Sequence, residues 1–234
     1  MKRVFMRALW GVYDNSHRIL QRRARADKHI QNALTNQNDF EFITYVFGED
    51  NYKYITSLGV KNCILIDKNP APYNLLTEQY RHKLEAIRYA MEVDGYDEMI
   101  HLDWDCYPVK KLPSNFWDVM GKRESFQSCL FRFKRMKCPW RSIDRTVVPN
   151  GGFVYMRDKS YPSKVIKIWE EKLKGPSAEP PMAMFVDDLM GGWKGLDKYW
   201  DLYESDFCKL KRGSPHTAEH MAQKDICFIH YYGV

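Results

Sequence analysis

Short apolar runs alternate along this chain with longer segments whose apolar residues recur at helical spacing. Arg3 to Leu9 reads as a strand, and Ser16 is placed to cap a helix running toward Leu34, with Ile19, Ala26, Ile30 and Ala33 on one face. Phe40 to Phe47 is a second strand, stopped by Gly48 and followed by a short helix that ends near Gly59; Cys63 to Asp67 is a third. Asn69-Pro-Ala-Pro72 breaks the chain. Asn74 to Val93 then reads as a long helix, with Leu76, Tyr80, Leu84, Ile87 and Met91 on one side, and Glu98 to Leu102 as the next strand. The alternation predicts an α/β fold with a mostly parallel, Rossmann-like central sheet flanked by helices, whose ligands bind beyond the carboxyl ends of the strands. Neither a repeat nor a clear linker interrupts it, so one domain over residues 1–234 is expected. Lys174-Gly-Pro-Ser-Ala-Glu-Pro-Pro181 is expected to be a mobile loop.

Composition narrows the class. Hydrophobic residues make up 44% of the 234 and aromatic ones 15%, enough for a packed core and too much for a disordered chain. No apolar run reaches the length of a membrane span, and Met1-Lys-Arg-Val-Phe-Met-Arg7 lacks the sustained apolar stretch of a signal peptide. The expectation is a cytoplasmic protein with no membrane partner, in the host cytoplasm if its source is viral. Six scattered cysteines without a Cys-x-x-Cys pair argue against a zinc site or a disulfide framework.

Charge is unevenly spread. Lys122 to Arg145 holds eight basic residues against two acidic ones, which is the whole of the chain's net charge of +6. Arg132, Lys134, Arg135 and Lys137 interleave with Phe131, Phe133 and Trp140, a composition suited to a groove for a polyanion, although a strand from Ser125 to Phe133 followed by a solvated basic loop would look the same. A second basic run, His17 to His29, fits the polar face of the first helix.

The chemistry concentrates in Met99-Ile-His-Leu-Asp-Trp-Asp105. Asp103 and Asp105, two residues apart in extended backbone just past a strand, can face one divalent ion, and paired carboxylates suit Mg²⁺ or Mn²⁺ that also holds phosphate oxygens. Asn150-Gly151-Gly152 precedes an apolar strand; glycines there let backbone approach a ligand, and Asn offers both a donor and an acceptor. Asp187 and Asp188 stand in an apolar setting that could hold a carboxylate near a reacting centre, or mark a helix N-terminus. His230, emerging from a terminal strand, could add an imidazole to the metal group.

This order, strand-Asp103-Trp-Asp105, Asn150-Gly151-Gly152, Asp187-Asp188 and His230-Tyr-Tyr-Gly233, resembles the GT-A glycosyltransferases that use nucleotide sugars, above all the glycogenin-like and bacterial lipooligosaccharide galactosyltransferase group with its small virus-encoded members. The resemblance implies that Asp105 binds Mn²⁺ directly, that Asp103 touches ribose and metal, and that His230 is the third protein ligand. It implies a nucleotide-sugar donor, UDP-sugar foremost, with residues 7 to 13 over the base, Trp10 or Tyr13 stacking, Arg7 nearby, and Lys83 or Arg88 toward the diphosphate or sugar. Asn150, Gly151, Gly152 and Gly233 complete the expected donor site. Residues 1–105 would form the donor half and 106–234 the acceptor half. Asp187 or Asp188 would be the base of an inverting enzyme or would stabilise the oxocarbenium-like centre of a retaining one. The family's His-x-x-Gly-x-Lys-Pro-Trp run stops here after Gly233-Val234, so a basic clamp on the β-phosphate must come from elsewhere. The acceptor-side residues are Arg132, Lys134, Arg135, Lys137 and Trp140, and a modified base in DNA would need both the donor site and this basic stretch. Two rivals remain: a haloacid-dehalogenase-type phosphatase, whose motif needs Thr or Val where Tyr107 stands, and a non-catalytic nucleic-acid-binding protein.

Overall fold

A computed structural model describes residues 1–11, 19–36, 40–67, 79–132, 147–172, 179–211 and 217–231. In chain order it runs β1 (Arg3–Leu9), α1 (Ile19–Thr35), β2 (Phe42–Phe47), α2 (Glu49–Ser57), β3 (Cys63–Asp67) and α3 (Gln79–Arg88), which widens into one π-helical turn, Tyr89–Val93. Then come β4 (Glu98–Leu102), β5 (Cys106–Pro108), α4 (Phe116–Lys122), β6 (Phe126–Arg132), β7 (Val147–Met156) and α5 (Tyr161–Lys172). The chain continues through α6 (Glu179–Leu189), α7 (Leu196–Tyr203), β8 (Cys208–Leu210), α8 (Ala218–Ala222) and β9 (Phe228–His230).

The central sheet has the order β3-β2-β1-β4-β7-β6. β1 to β4 are mutually parallel, and β7 runs antiparallel to both β4 and β6. The expected α/β architecture with a mostly parallel sheet is therefore present. A second sheet of three short strands, β5-β9-β8, lies against one face.

Side-chain alternation sorts the core into layers. Met99 of β4 and Val154 and Met156 of β7 pack with Leu84, Ile87, Trp169 and Phe185 of α3, α5 and α6. Their neighbours Ile100, Leu102, Phe153 and Tyr155 point the other way, into Phe116, Met120 and Phe228. Both faces of β4 are thus covered, and all five of its residues are buried. That explains why it reads as an apolar run rather than as an alternation. Each large apolar side chain buried here contributes about 2 kcal/mol. A polar residue in such a place needs a partner: Glu98 takes Arg3 Nε at 2.6 Å and the Tyr155 hydroxyl at 3.0 Å.

Side-chain contacts mark the direction of the helices. At the carboxyl edge of the sheet, Arg81 near the start of α3 meets Glu170 near the end of α5 at 2.7 Å. At the opposite edge Phe185 of α6 packs on Tyr161, the first residue of α5, and on Phe126, the first of β6, at ring separations of 4.8 and 5.8 Å. Hence α6 descends from the carboxyl edge and ends at the amino edge. Pro180 and Pro181 fall in its first turn, where a missing N–H costs nothing.

Candidate metal centre

β4 delivers its chain to the carboxyl edge at Leu102, and the next three residues turn there. Cys106 N–H donates to Asp103 O at 2.9 Å, closing the turn, and Asp103 N–H donates to Gly152 O at 3.0 Å, continuing the ladder with β7 by one step. The Trp104 indole donates to Ala8 O at 2.9 Å, so the aromatic ring is pinned under the loop and the flanking carboxylates are left on the other side.

His230 arrives from a position 125 residues distant through the small sheet. It is opposite Cys106 on β5 and opposite Leu210 on β8, so its backbone is held on both sides. Tyr231 N–H adds a bond to Asp105 O at 2.7 Å. The ring then lies with Nε2 3.0 Å from Asp105 Oδ1. One ligand atom each from Asp103, Asp105 and His230 falls within 4.8 Å of the others, the one such His, Cys, Asp or Glu group among the described residues. Burial would raise the Asp105 carboxyl, but the His230 hydrogen bond and the nearby His230, His29 and Lys83 charges outweigh it and hold the group at about 2.

Gly152 makes room for that imidazole. A Cβ built there would overlap the ring, 2.6 Å from Nε2 and nearer still to Cε1 and Nδ1. The Asn150-Gly151-Gly152 segment is therefore within β7, not ahead of it as expected. It sits at a bulge: β6 and β7 pair Ser128 with Val154 and then Cys129 with Asn150, leaving the glycines looped toward the site. Asn150 Oδ1 accepts from Gly152 N–H at 2.8 Å, and its Nδ2, buried, has no partner among the described residues.

Lys83 is the cation of the site. Its Nζ lies 2.7 Å from Asp103 Oδ1 and 2.8 Å from Oδ2, and donates to Gly151 O at 3.2 Å, with a side chain only 3% exposed. His101 sits one strand step below, buried, with Nε2 3.7 Å from Asp103 Oδ1. Burial first, then the Lys83 and Arg7 charges, lowers its imidazole well below the ordinary value and keeps it neutral. The sequence reading missed this histidine, although its place inside an apolar strand two residues before Asp103 was the available signal.

Other expected site residues fall elsewhere. Arg7 is 2% exposed and donates to Asp103 O and Cys106 O at 3.2 Å each, so it braces the loop from beneath. Burial lowers its guanidinium to about 10. Arg88 lies farther down α3 in a surface ladder with Glu85 at 2.8 Å and Glu92 at 3.6 Å, which leaves Lys83 as the residue at the metal loop. Trp10, just after β1, packs half-buried on the α3-side core. Asp187 and Asp188 occupy the last turn of α6, not a helix N-terminus, and α6 ends at the amino edge, so the structure does not bring them to Asp103 and Asp105. Tyr13, Lys134, Arg135, Lys137, Trp140 and Gly233 lie outside the described residues, as does the Arg132 side chain.

A doubly covered sheet whose β4 ends in Asp-x-Asp, with a glycine-bearing antiparallel neighbour and a returning histidine, has the GT-A fold. The crystal structure of galactosyltransferase LgtC in complex with donor and acceptor sugar analogs is similar over 100% of this chain and 87% of that one, with a TM-score of 0.55 and 15% identity. An active-site mutant of LgtC gives 0.55 and 15% over 100% and 88%. A glycosyltransferase involved in the glycosylation of the major capsid of PBCV-1 gives 0.46 and 12% over 100% and 94%. At 15% identity the likeness to the two LgtC structures is one of fold. No family model and no curated sequence matches the chain. Among the described residues no helix is long and apolar enough to cross a membrane.

Proposed function

We propose that the protein transfers a glycosyl group from a nucleoside-diphosphate sugar, UDP-sugar foremost, to an acceptor hydroxyl, using a divalent ion held by Asp103, Asp105 and His230. The observation that carries this reading is the convergence of those three side chains at the carboxyl end of β4 in a GT-A fold. Two carboxylates and one imidazole fit Mn²⁺ better than Mg²⁺, which prefers oxygen ligands alone. When bound, such an ion neutralises charge developing on a diphosphate leaving group. The chain's own groups prepare that setting. Lys83 orients Asp103 and adds positive charge beside it; Gly152 gives the His230 ring its place; and the Asn150 amide offers N–H donors to an oxygen of the donor or acceptor.

For the acceptor, the reading we favour is a polyanion, DNA carrying a modified base included. Its support is topological. β6 ends at Arg132 and β7 begins at Val147, and these residues pair at the carboxyl edge, on the side of the sheet where Asp103 turns. The strands that flank the strongly basic segment of the sequence thus end and begin at that edge, which supports the reading.

Thermal unfolding with UDP-sugars, in Mn²⁺ and in EDTA, tests the donor reading. Donor at about 100 times its dissociation constant should add about 2.7 kcal/mol, and only with the metal present. Equal stabilisation in EDTA would refute it. For the acceptor, DNA binding should weaken with a log-log salt slope of about −0.9 per phosphate neutralised. No DNA binding at low salt would point to a neutral hydroxyl acceptor.

A further inference from the structure

We infer that a cavity beneath Trp104, on the α1 side of the sheet, is a second ligand site, built for a compact oxyanion of the carboxylate or phosphate class. It measures about 230 Å³ and is lined by Arg7, Thr44, Phe42 and Trp104, with Ala33 and Leu34 of α1 across from them. Arg7 and Thr44 are cross-strand partners on β1 and β2, 2% and 0% exposed.

Arg7 is a charge with donors to spare. Two of its five N–H groups serve the carbonyls of Asp103 and Cys106, and it forms no ion pair with a described carboxylate. Its guanidinium is flanked by the Phe42 and Trp104 rings at 4.6 and 4.8 Å, which fixes its plane and leaves its edge as the place where a ligand can bond. Thr44 Oγ1, buried beside it, has no hydrogen-bond partner among the described residues. An unmet buried hydroxyl costs on the order of 1–3 kcal/mol, which a ligand oxygen would relieve. A fixed guanidinium edge and a free hydroxyl on one floor match an oxyanion that accepts from both. At the mouth, exposed Glu41 and Lys61 cancel, so the Arg7 charge sets the sign of the occupant. Because the same guanidinium ties together both ends of the Asp103–Cys106 turn, occupancy is coupled to the metal loop. The inference does not depend on glycosyl transfer.

The test is a thermal-shift titration of the metal-depleted full chain with sodium phosphate and, separately, sodium acetate at constant ionic strength. One anion or both should stabilise the wild type saturably, and whichever acts names the class. Thr44→Val, which removes the hydroxyl at constant shape, should weaken the apparent affinity about tenfold, whereas Thr44→Ser should stay near wild type. Ala33→Leu, which fills the cavity from α1, should abolish the effect. Absence of saturable stabilisation by either anion, or an unchanged titration in both Thr44→Val and Ala33→Leu, would overturn the proposal.

Discussion

Two pairs of aspartates a short way apart in sequence meet opposite fates in this fold. Asp103 and Asp105 flank Trp104 in the hydrogen-bonded turn that follows a buried strand, where the ring is pinned to Ala8 O and a histidine reaches the carboxylates. Asp187 and Asp188 are adjacent in the last turn of a helix, where consecutive side chains diverge by about 100°. Their burial differs accordingly, Asp187 half-buried and Asp188 exposed. Carboxylates near apolar residues are therefore a weak signal until the backbone beneath them is known. The first pair gains its meaning from being spaced by two on a strand end; the second belongs to an element that runs away from the sheet's carboxyl edge.

The largest test of this contrast is Asp105→Asn. It deletes an anionic ligand at nearly constant volume, and should lower Mn²⁺ affinity at least about 100-fold, exceeding the usual cost of altering a residue that only supports a ligand, with thermal unfolding little changed. Calorimetric Mn²⁺ titration reads it; a wild-type isotherm would remove Asp105 from the site. Next in size is Gly152→Ala. The added methyl needs the space of the His230 ring, so Mn²⁺ affinity should fall about 10- to 100-fold while the circular dichroism spectrum is kept. Retained affinity would mean His230 is not a ligand.

Lys83→Met should act more modestly on binding and more on folding. It strips Asp103 of its only close ammonium partner among the described residues, and because that carboxylate is 26% exposed the loss should be about 2 kcal/mol, below the 3–5 typical of fully buried pairs. Chemical denaturation measures it. The smallest effect belongs to Asp188→Asn, an exposed change expected to stay within about 0.5 kcal/mol and to leave metal affinity untouched. If Asp188→Asn or Asp187→Asn abolished transfer in a folded protein, the two pairs would be functional equals and the position of α6 relative to the site would need revision.

The parallel strands were the legible part of the fold. β1, β3 and β4 run over the residues that the apolar runs predict, and β2 begins two residues later than expected. β1, β2 and β4 are buried over most of their length, so hydrophobic content alone marks them, whereas β3 is a half-buried edge strand marked by Ile64, Leu65 and Ile66. β5, β8 and β9 are three residues each, too short to show any period, and exist because Cys106, Leu210 and His230 find one another in space. The bulge at Gly151 and Gly152 likewise depends on a neighbour, β6, whose register no local pattern encodes.

By itself, then, the sequence determined an α/β fold, the strand that carries Asp103 and Asp105, and the donor chemistry those residues and His230 offer to a divalent ion. Local forces suffice for that: apolar burial sets the strands, and the turn from Asp103 to Cys106 sets the side on which the carboxylates stand. Only the tertiary structure decided which groups surround them. Lys83 at Asp103, Arg7 beneath the loop, Gly152 under the His230 ring and α6 directed away are all contacts between distant segments. Their geometry follows from how the layers pack, which sequence spacing does not contain.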